Sequence, residues 1–461
     1  MISAQLADYV AGVTYEQLPA SVSERAKQLV LDITGIALRA RHDAESTPSL
    51  IAATERLGLA GGNASVIGDG ARYAPPAAAL INGTLAHSLD FDDTHAAASL
   101  HAGAPIVPAA LAAAEMAEAD GATTLAAIIA GFEVQIRISK ALGPLDHYDR
   151  GFHPTATCGV FGAAAAAGRI FGLSASKIAS AFGICASQAA GSLLFLADGA
   201  WTKRSQVGAA AMTGLVAACL AREGFKGSAE TLDGERGFLK SYAPRPDPTR
   251  VVSGLGIIHE TLDIAVKPYP CCRYSHGGID GALALRAAHA IAADDVVSVD
   301  IGLSAAGHDL VGAPEAQKQH PQNVVDGQFS MPFLAAVALR DGAMTWASYD
   351  RHLGDEESLA LCRRIYCQAE SGLEGLQARV AVHTGHGSFE TVVETPKGEP
   401  DAFPTAAELR AKFDGLVGDY LPPARGDALA TALLSLEEQA SIADVLALTR
   451  SDRPVAMEAA S

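Results

Sequence analysis

Residues 21–40, SVSERAKQLVLDITGIALRA, set Ala26, Leu29, Val30, Ile33 and Ala37 three and four positions apart. That spacing is the apolar face of a helix, and Ser21 with Glu24 three residues later matches a capping box. The same rhythm returns at 75–89, 105–119, 123–142, 157–171, 174–190 and 206–223, with Gly or Pro in many of the gaps. No strand-like alternation occurs before about residue 250, so this part is expected to be an all-α bundle. Alanine and glycine are dense at 109–114, 163–168 and 209–211, which predicts helices in close approach.

The texture changes near Val266. Residues 296–303 (VVSVDIGL) and 378–383 (ARVAVH) alternate like half-buried strands. Residues 385–388 are expected to turn into a strand at 389–394 and complete a hairpin. Helical stretches at 278–293, 332–340 and 357–367 alternate with these strands. Helical patterning resumes at 405–421 and 425–448, and 450–461 reads as a frayed polar end. The predicted fold class is therefore mainly α. A large helical domain is built from residues 1–265 and 400–461, and a smaller α+β lid from 266–399 is inserted into it.

The chain has 34 basic and 52 acidic residues, a net charge of −18. Such a charge argues against nucleic acid or an anionic membrane surface as partner. An acidic substrate is compatible with it only if cations gather in one pocket. The seven cysteines are not spaced as a disulfide framework, a zinc site or an iron–sulfur site. Adjacent Cys271 and Cys272 are read as packing residues, and no metal or cofactor is expected. Residues 1–10 lack a basic-then-apolar leader, and 207–221, the longest apolar stretch, is too short for a membrane span. A cytoplasmic location is expected.

Four segments are candidates for chemistry. Residues 82–95 (NGTLAHSLDFDDTH), with His101 beyond, concentrate acids and histidines in apolar surroundings. On a helix, His87, Asp90 and Thr94 would share a face; the alternative is a solvated helix end. Residues 147–154 (HYDRGFHP) set His153 just ahead of a helix start, where protonation is disfavoured. A neutral His153 there suits a general base, with Tyr148 near enough to supply a proton. Lys203 and Arg204 form a cation pair able to hold a carboxylate or to face solvent. Residues 267–276 (KPYPCCRYSH) hold Lys267 and His276 at the ends of a proline-stiffened segment.

Together these segments resemble the MmgE/PrpD family, which includes 2-methylcitrate dehydratases, cis-aconitate decarboxylase and iminodisuccinate epimerase. The resemblance rests on residues 82–95, 153–171, 203–225, 267–280 and 328–342. It implies proton transfer at a carbon beside a carboxylate of a small di- or tricarboxylic acid, in a homodimer. The pocket positions it implies are Asp90, Thr94, His101, His153, Lys203, Lys267 and His276. Ala-Gly follows His101 where a Pro-containing continuation is usual. Cys272 stands where cis-aconitate decarboxylase has a histidine. On that ground a 2-methylcitrate-type dehydratase is expected first, a dicarboxylate epimerase second, and a decarboxylase or a non-catalytic polyacid binder after them.

Overall fold

The computed structural model describes residues 1–197 and 199–451, so most of the predicted frayed end, 452–461, lies outside the described residues. The chain divides into two compact units, Met1–Ala265 with the segment from Thr405 onward, and Val266–Pro404. It is mainly α, with small sheets.

In the first unit the principal helices are α1 (Ala20–Asp43), α2 (Pro75–Ala86), α3 (Gly103–Ala117), α4 (Gly121–Leu142), α5 (Pro154–Ile170) and α6 (Thr202–Arg222). The α1 face named above is wholly buried, but so is nearly every residue from Val30 to Arg41. This helix is buried all round, where its sequence suggested one apolar stripe. The expected Ser21 cap is absent, because Pro19 is the N-cap and Ser21 lies inside the first turn. The Gly/Ala runs meet backbone to backbone. A Cβ on Gly208 of α6 would stand 2.2 Å from Leu80 O of α2, and one on Gly83 of α2 would stand 2.8 Å from Gly208 Cα.

Two short strand pairs interrupt the helices, Ala60–Ser65 with Arg72–Tyr73 and Thr94–His95 with Ile264–Ala265. They are small exceptions within a helical unit: three of the four strands have two residues, too few to show alternation, and Ala60–Ser65 (AGGNAS) carries no apolar alternation. The tail expected as one helix over 425–448 is broken into Pro423–Leu434, a 3-10 turn at Leu436–Glu438 and Ile442–Ala447. Helix Ala406–Val417, in the same returning segment, delivers Lys412. Its Nζ lies 2.6 Å from Asp32 Oδ1, donates to Phe91 O at 3.1 Å and sits 3.8 Å from the Phe91 ring centroid. Breaking such a buried pair from one side costs about 3–5 kcal/mol. Lys412→Met is therefore expected to lower the urea midpoint strongly, and Asp32→Asn in the same chain to restore part of the loss.

The second unit is a four-stranded sheet of β1 (Val296–Leu303), β2 (Ile365–Ala369), β3 (Ala378–Thr384) and β4 (Gly387–Val393), in the order β2-β1-β3-β4. The hairpin expected at 378–394 is present as β3 and β4, paired antiparallel. The stretch expected to be helical over 357–367 ends at Cys362, and Ile365 opens β2, parallel to β1. That strand alternates too briefly to be read apart from the helix before it. Helices α7 (His276–His289) and α8 (Met331–Asp341) pack with the sheet around Ile279, Ile301, Phe333 and Val380.

Candidate active site

Helix α2 stops at Ala86, and His87 is its C-cap. The chain then folds irregularly, with Asp90 in the left-handed region at φ 52°. His87, Asp90 and Thr94 therefore share no helical face, since Thr94 lies in a short strand paired with Ala265. Every residue from His87 to Thr94 is buried. The two acids at the centre of this turn do different work.

Asp92 Oδ2 lies 2.7 Å from His87 Nδ1 and 3.1 Å from His101 Nδ1. Burial alone would raise the Asp92 carboxyl, but the two imidazoles hold it well below the usual carboxylate range. Asp93 instead accepts the backbone N–H groups of Ala102 and Gly103 at 2.8 and 2.9 Å. Burial beside Asp92 and Asp32 pushes its carboxyl up to about 7. The Ala-Gly after His101 now has a reason: a Cβ on Gly103 would stand 2.3 Å from Asp93 Oδ2.

His101 is held by its backbone. Its N–H donates to Thr155 Oγ1 at 3.1 Å, and Gln135 Nε2 donates to its carbonyl at 3.2 Å. The His87 ring packs 4.6 Å from that of His101 and 5.8 Å from that of His153, centroid to centroid. His153 is the N-cap of α5, and its Nδ1 lies 2.7 Å from Gln206 Nε2 on α6. Burial depresses both His87, to about 4, and His153, which His87 and Lys203 push lower still.

Those depressed values set a pH dependence of stability. The unfolded chain takes up the histidine proton more readily than the folded one, so stability is full above about pH 6.5 and falls as pH drops toward 4. His87 alone contributes roughly 3 kcal/mol across that window, and His153 acts in the same direction. Asp93, raised to about 7, works the other way between pH 5 and 7, so the test is a comparison: on going from pH 7.5 to pH 5 the urea midpoint of His87→Gln is expected to fall less, or rise more, than that of the parent. An equal difference in that variant would show that His87 is not the group responsible.

Lys203 opens α6, and its Nζ lies 2.7 Å from Asp90 Oδ1. Burial works against the ammonium, but Asp90 outweighs it and its pKa is raised. Arg204 turns elsewhere, donating to Ser46 Oγ at 3.2 Å. Tyr148 donates its hydroxyl to Ser99 O at 3.2 Å, and burial raises its pKa despite Lys203. The structure thus gathers Asp90, His101, His153 and Lys203 in one cluster, with His101 and Lys203 partly exposed, and adds His87, Asp92 and Gln206. Sequence reading did not assign roles to these three. The Asp92-Asp93 doublet was the available signal; nothing local marks Gln206.

In the second unit Lys267, Cys272 and His276 are buried on one short segment. The Tyr269 ring stacks edge-on to His276 at 5.3 Å, and its hydroxyl donates to Asp280 at 2.6 Å. Gln328 clamps the segment, donating to Pro270 O at 3.3 Å and accepting the Cys272 N–H at 2.9 Å.

Among the described residues, two acid–histidine groups have metal-ligand spacing: His87 with Asp92 and His101, and His95 with Glu260 and Asp263. In the first, 2.7 Å is the separation of groups sharing a proton, whereas atoms bound to one zinc at about 2.0–2.1 Å stand further apart. In the second, Lys140 already engages both Glu260 oxygens at 2.7 and 2.8 Å.

A buried carboxylate thus lies between two imidazoles, with a third imidazole and a lysine beside it. The MmgE/PrpD N-terminal domain matches residues 4–251 and the MmgE/PrpD C-terminal domain residues 269–438, so the chain belongs to the MmgE/PrpD family. It is similar to the cis-aconitate decarboxylase-like protein oryM of Aspergillus oryzae, 31% identical over 97% of each chain. A cis-aconitate decarboxylase of Aspergillus terreus is 30% identical over 97% of this chain and 95% of its own. The human cis-aconitate decarboxylase is 29% identical over 76% of this chain and 72% of its own. No helix among the described residues is long and apolar enough to cross a membrane.

Proposed function

We propose that this chain is a lyase that breaks a bond beside a carboxylate of a small polycarboxylic acid while a histidine moves one proton at the neighbouring carbon. The Asp92 oxygen between His87 and His101 carries this reading. A carboxylate at Nδ1 stabilises an imidazolium and leaves Nε2 to exchange the proton. The His101 side chain is 14% exposed and that of His87 is fully buried, so His101 is the member open to substrate. Lys203 supplies positive charge to the same cluster.

Decarboxylation of an unsaturated tricarboxylate of the cis-aconitate kind is the leading reaction, supported by similarity to the Aspergillus proteins along nearly the whole chain. The bond to the departing carboxylate breaks, its electron pair stays on the carbon skeleton, and carbon dioxide leaves. The His101 imidazolium then delivers one proton to carbon and is recharged from solvent. Dehydration of a 2-methylcitrate-type hydroxy acid is the second reading, favoured by Cys272. There His101 takes the proton from carbon, the C–O bond electrons leave with the hydroxyl, and His101 returns the proton to it so that it departs as water.

The purified chain in deuterated buffer, given cis-aconitate and 2-methylcitrate in turn, separates these. Carbon dioxide release with one deuterium in the product supports the first reading. A rise in ultraviolet absorbance on 2-methylcitrate without carbon dioxide supports the second. Deuterium exchange with neither, or no turnover on either acid, would overturn the lyase reading.

A further inference from the structure

We propose that Gln206 is a positioning residue that locks His153 as the neutral tautomer with its proton on Nε2. His153 then donates a hydrogen bond to negative charge on the substrate and transfers no proton itself. The inference rests on the reading of His101 as proton carrier and narrows it from two candidate histidines to one.

The lock follows from which groups can only give or only take. Ser192 N–H can only donate, and it donates to Gln206 Oε1 at 2.9 Å. Ser192 O can only accept, and it lies 3.3 Å from Gln206 Nε2. Both contacts fix the same orientation of the amide, with its NH2 toward His153. One amide hydrogen meets Ser192 O, and the other meets His153 Nδ1 at 2.7 Å. Nδ1 must therefore accept, which places the single ring proton on Nε2. Protonating Nδ1 would set two donors face to face. Turning the amide to relieve them would set its NH2 against Ser192 N–H.

The frame around this lock is rigid. His153 N–H donates to Gly191 O at 3.2 Å, and Phe152 pairs with Ser192 as an antiparallel bridge. His87 and Phe195 flank the His153 ring at 5.8 and 5.6 Å between centroids. The charged and titratable groups acting on it are His87, His101, Lys203 and Asp92. Burial and the first three oppose a cationic ring; Asp92 alone favours it. A neutral imidazole in that setting suits hydrogen-bond donation to a developing oxyanion. Sequence alone offered His153 and His101 as candidate bases; the lock gives His153 a donor's role instead.

The test has one arm that needs no substrate. In the full chain labelled with 15N-histidine, the His153 resonances, assigned by their loss in His153→Gln, are expected to report an unprotonated Nδ1 from pH 5.5 to 8.5. Gln206→Glu presents an acceptor and is expected to move that proton to Nδ1. A protonated Nδ1 in the unsubstituted chain at pH 7, or no change in Gln206→Glu, would overturn the lock whatever the substrate proves to be. The second arm is turnover. His153→Gln keeps a donor near the Nε2 position but cannot act as a base, and is expected to stay within about ten-fold of the parent kcat. His153→Ala is expected to lose about 100-fold or more. Equal losses in the two variants would return His153 to proton transfer. An inactive parent chain would sink the lyase reading and leave the NMR result standing.

Discussion

Asp92→Asn is expected to lower kcat by about 1,000- to 10,000-fold while changing KM far less. Asp92 Oδ2 hydrogen-bonds His87 Nδ1 at 2.7 Å and stands 3.1 Å from His101 Nδ1, so one anion can stabilise a charged His101 ring and favour its proton on Nδ1, which keeps Nε2 as the basic nitrogen. An asparagine carries no charge to stabilise the His101 imidazolium. If its NH2 faces the rings, each must accept at Nδ1, which turns the His101 tautomer away from proton exchange. The measurement is steady-state turnover on whichever acid the parent converts, with near-ultraviolet circular dichroism to confirm intact packing. A loss below about ten-fold would remove Asp92 from the proton route. Asp93→Asn is the companion. It keeps Oδ1 for the Ala102 and Gly103 N–H groups at the start of α3 but sets a donor in place of Oδ2, which also accepts from Gly103 at 3.1 Å, so its cost should fall on stability more than on turnover.

Gly208→Val is expected to destabilise the chain by more than about 3 kcal/mol, at or beyond the upper end for overpacking. Even the first added carbon would stand 2.2 Å from Leu80 O and 2.3 Å from Thr84 Oγ1. Backbone cannot rotate aside as a side chain can, so α2 and α6 must part. The site should suffer with the fold, because α6 carries Lys203 and Gln206 while His87 caps α2. Urea unfolding of Gly208→Ala and Gly208→Val should show graded losses. Gly415→Ala is the control: it lies in helix Ala406–Val417 with no atom within 4 Å of the added carbon, and should stabilise by about 0.4–1 kcal/mol. Unchanged stability in both Gly208 variants would show that the two helices tolerate separation.

Helical periodicity made α1 to α6 legible, because each carries enough apolar residues at a fixed spacing to outweigh local noise. Strand β2 was not legible, since Ile365–Ala369 follows a short helix and pairs through backbone groups that any sequence offers. Asp90, His101, His153 and Lys203 could be picked from the chain as residue types suited to the chemistry. Their division of labour could not be. The role of His153 depends on Gln206, on α6, and on Ser192, in the segment before α6 that bridges to Phe152; their meeting is a tertiary contact that no nearby pattern marks. Likewise the segment 82–95 suggested a helical face, whereas the left-handed turn at Asp90 is what lets Asp92 and Asp93 diverge.

The contact of Lys412 with Asp32 and Phe91 also bears on how the protein is made. During synthesis the helix bearing Asp32 and the turn bearing Phe91 leave the ribosome long before Lys412 does. Until then the nascent chain holds an acid that has no counter-charge in its folded place, directly behind the turn that will carry Asp92. That turn can settle only after the helix bearing Lys412 has been made, so a message cut short ahead of Lys412 should give a product that neither matures nor turns over substrate.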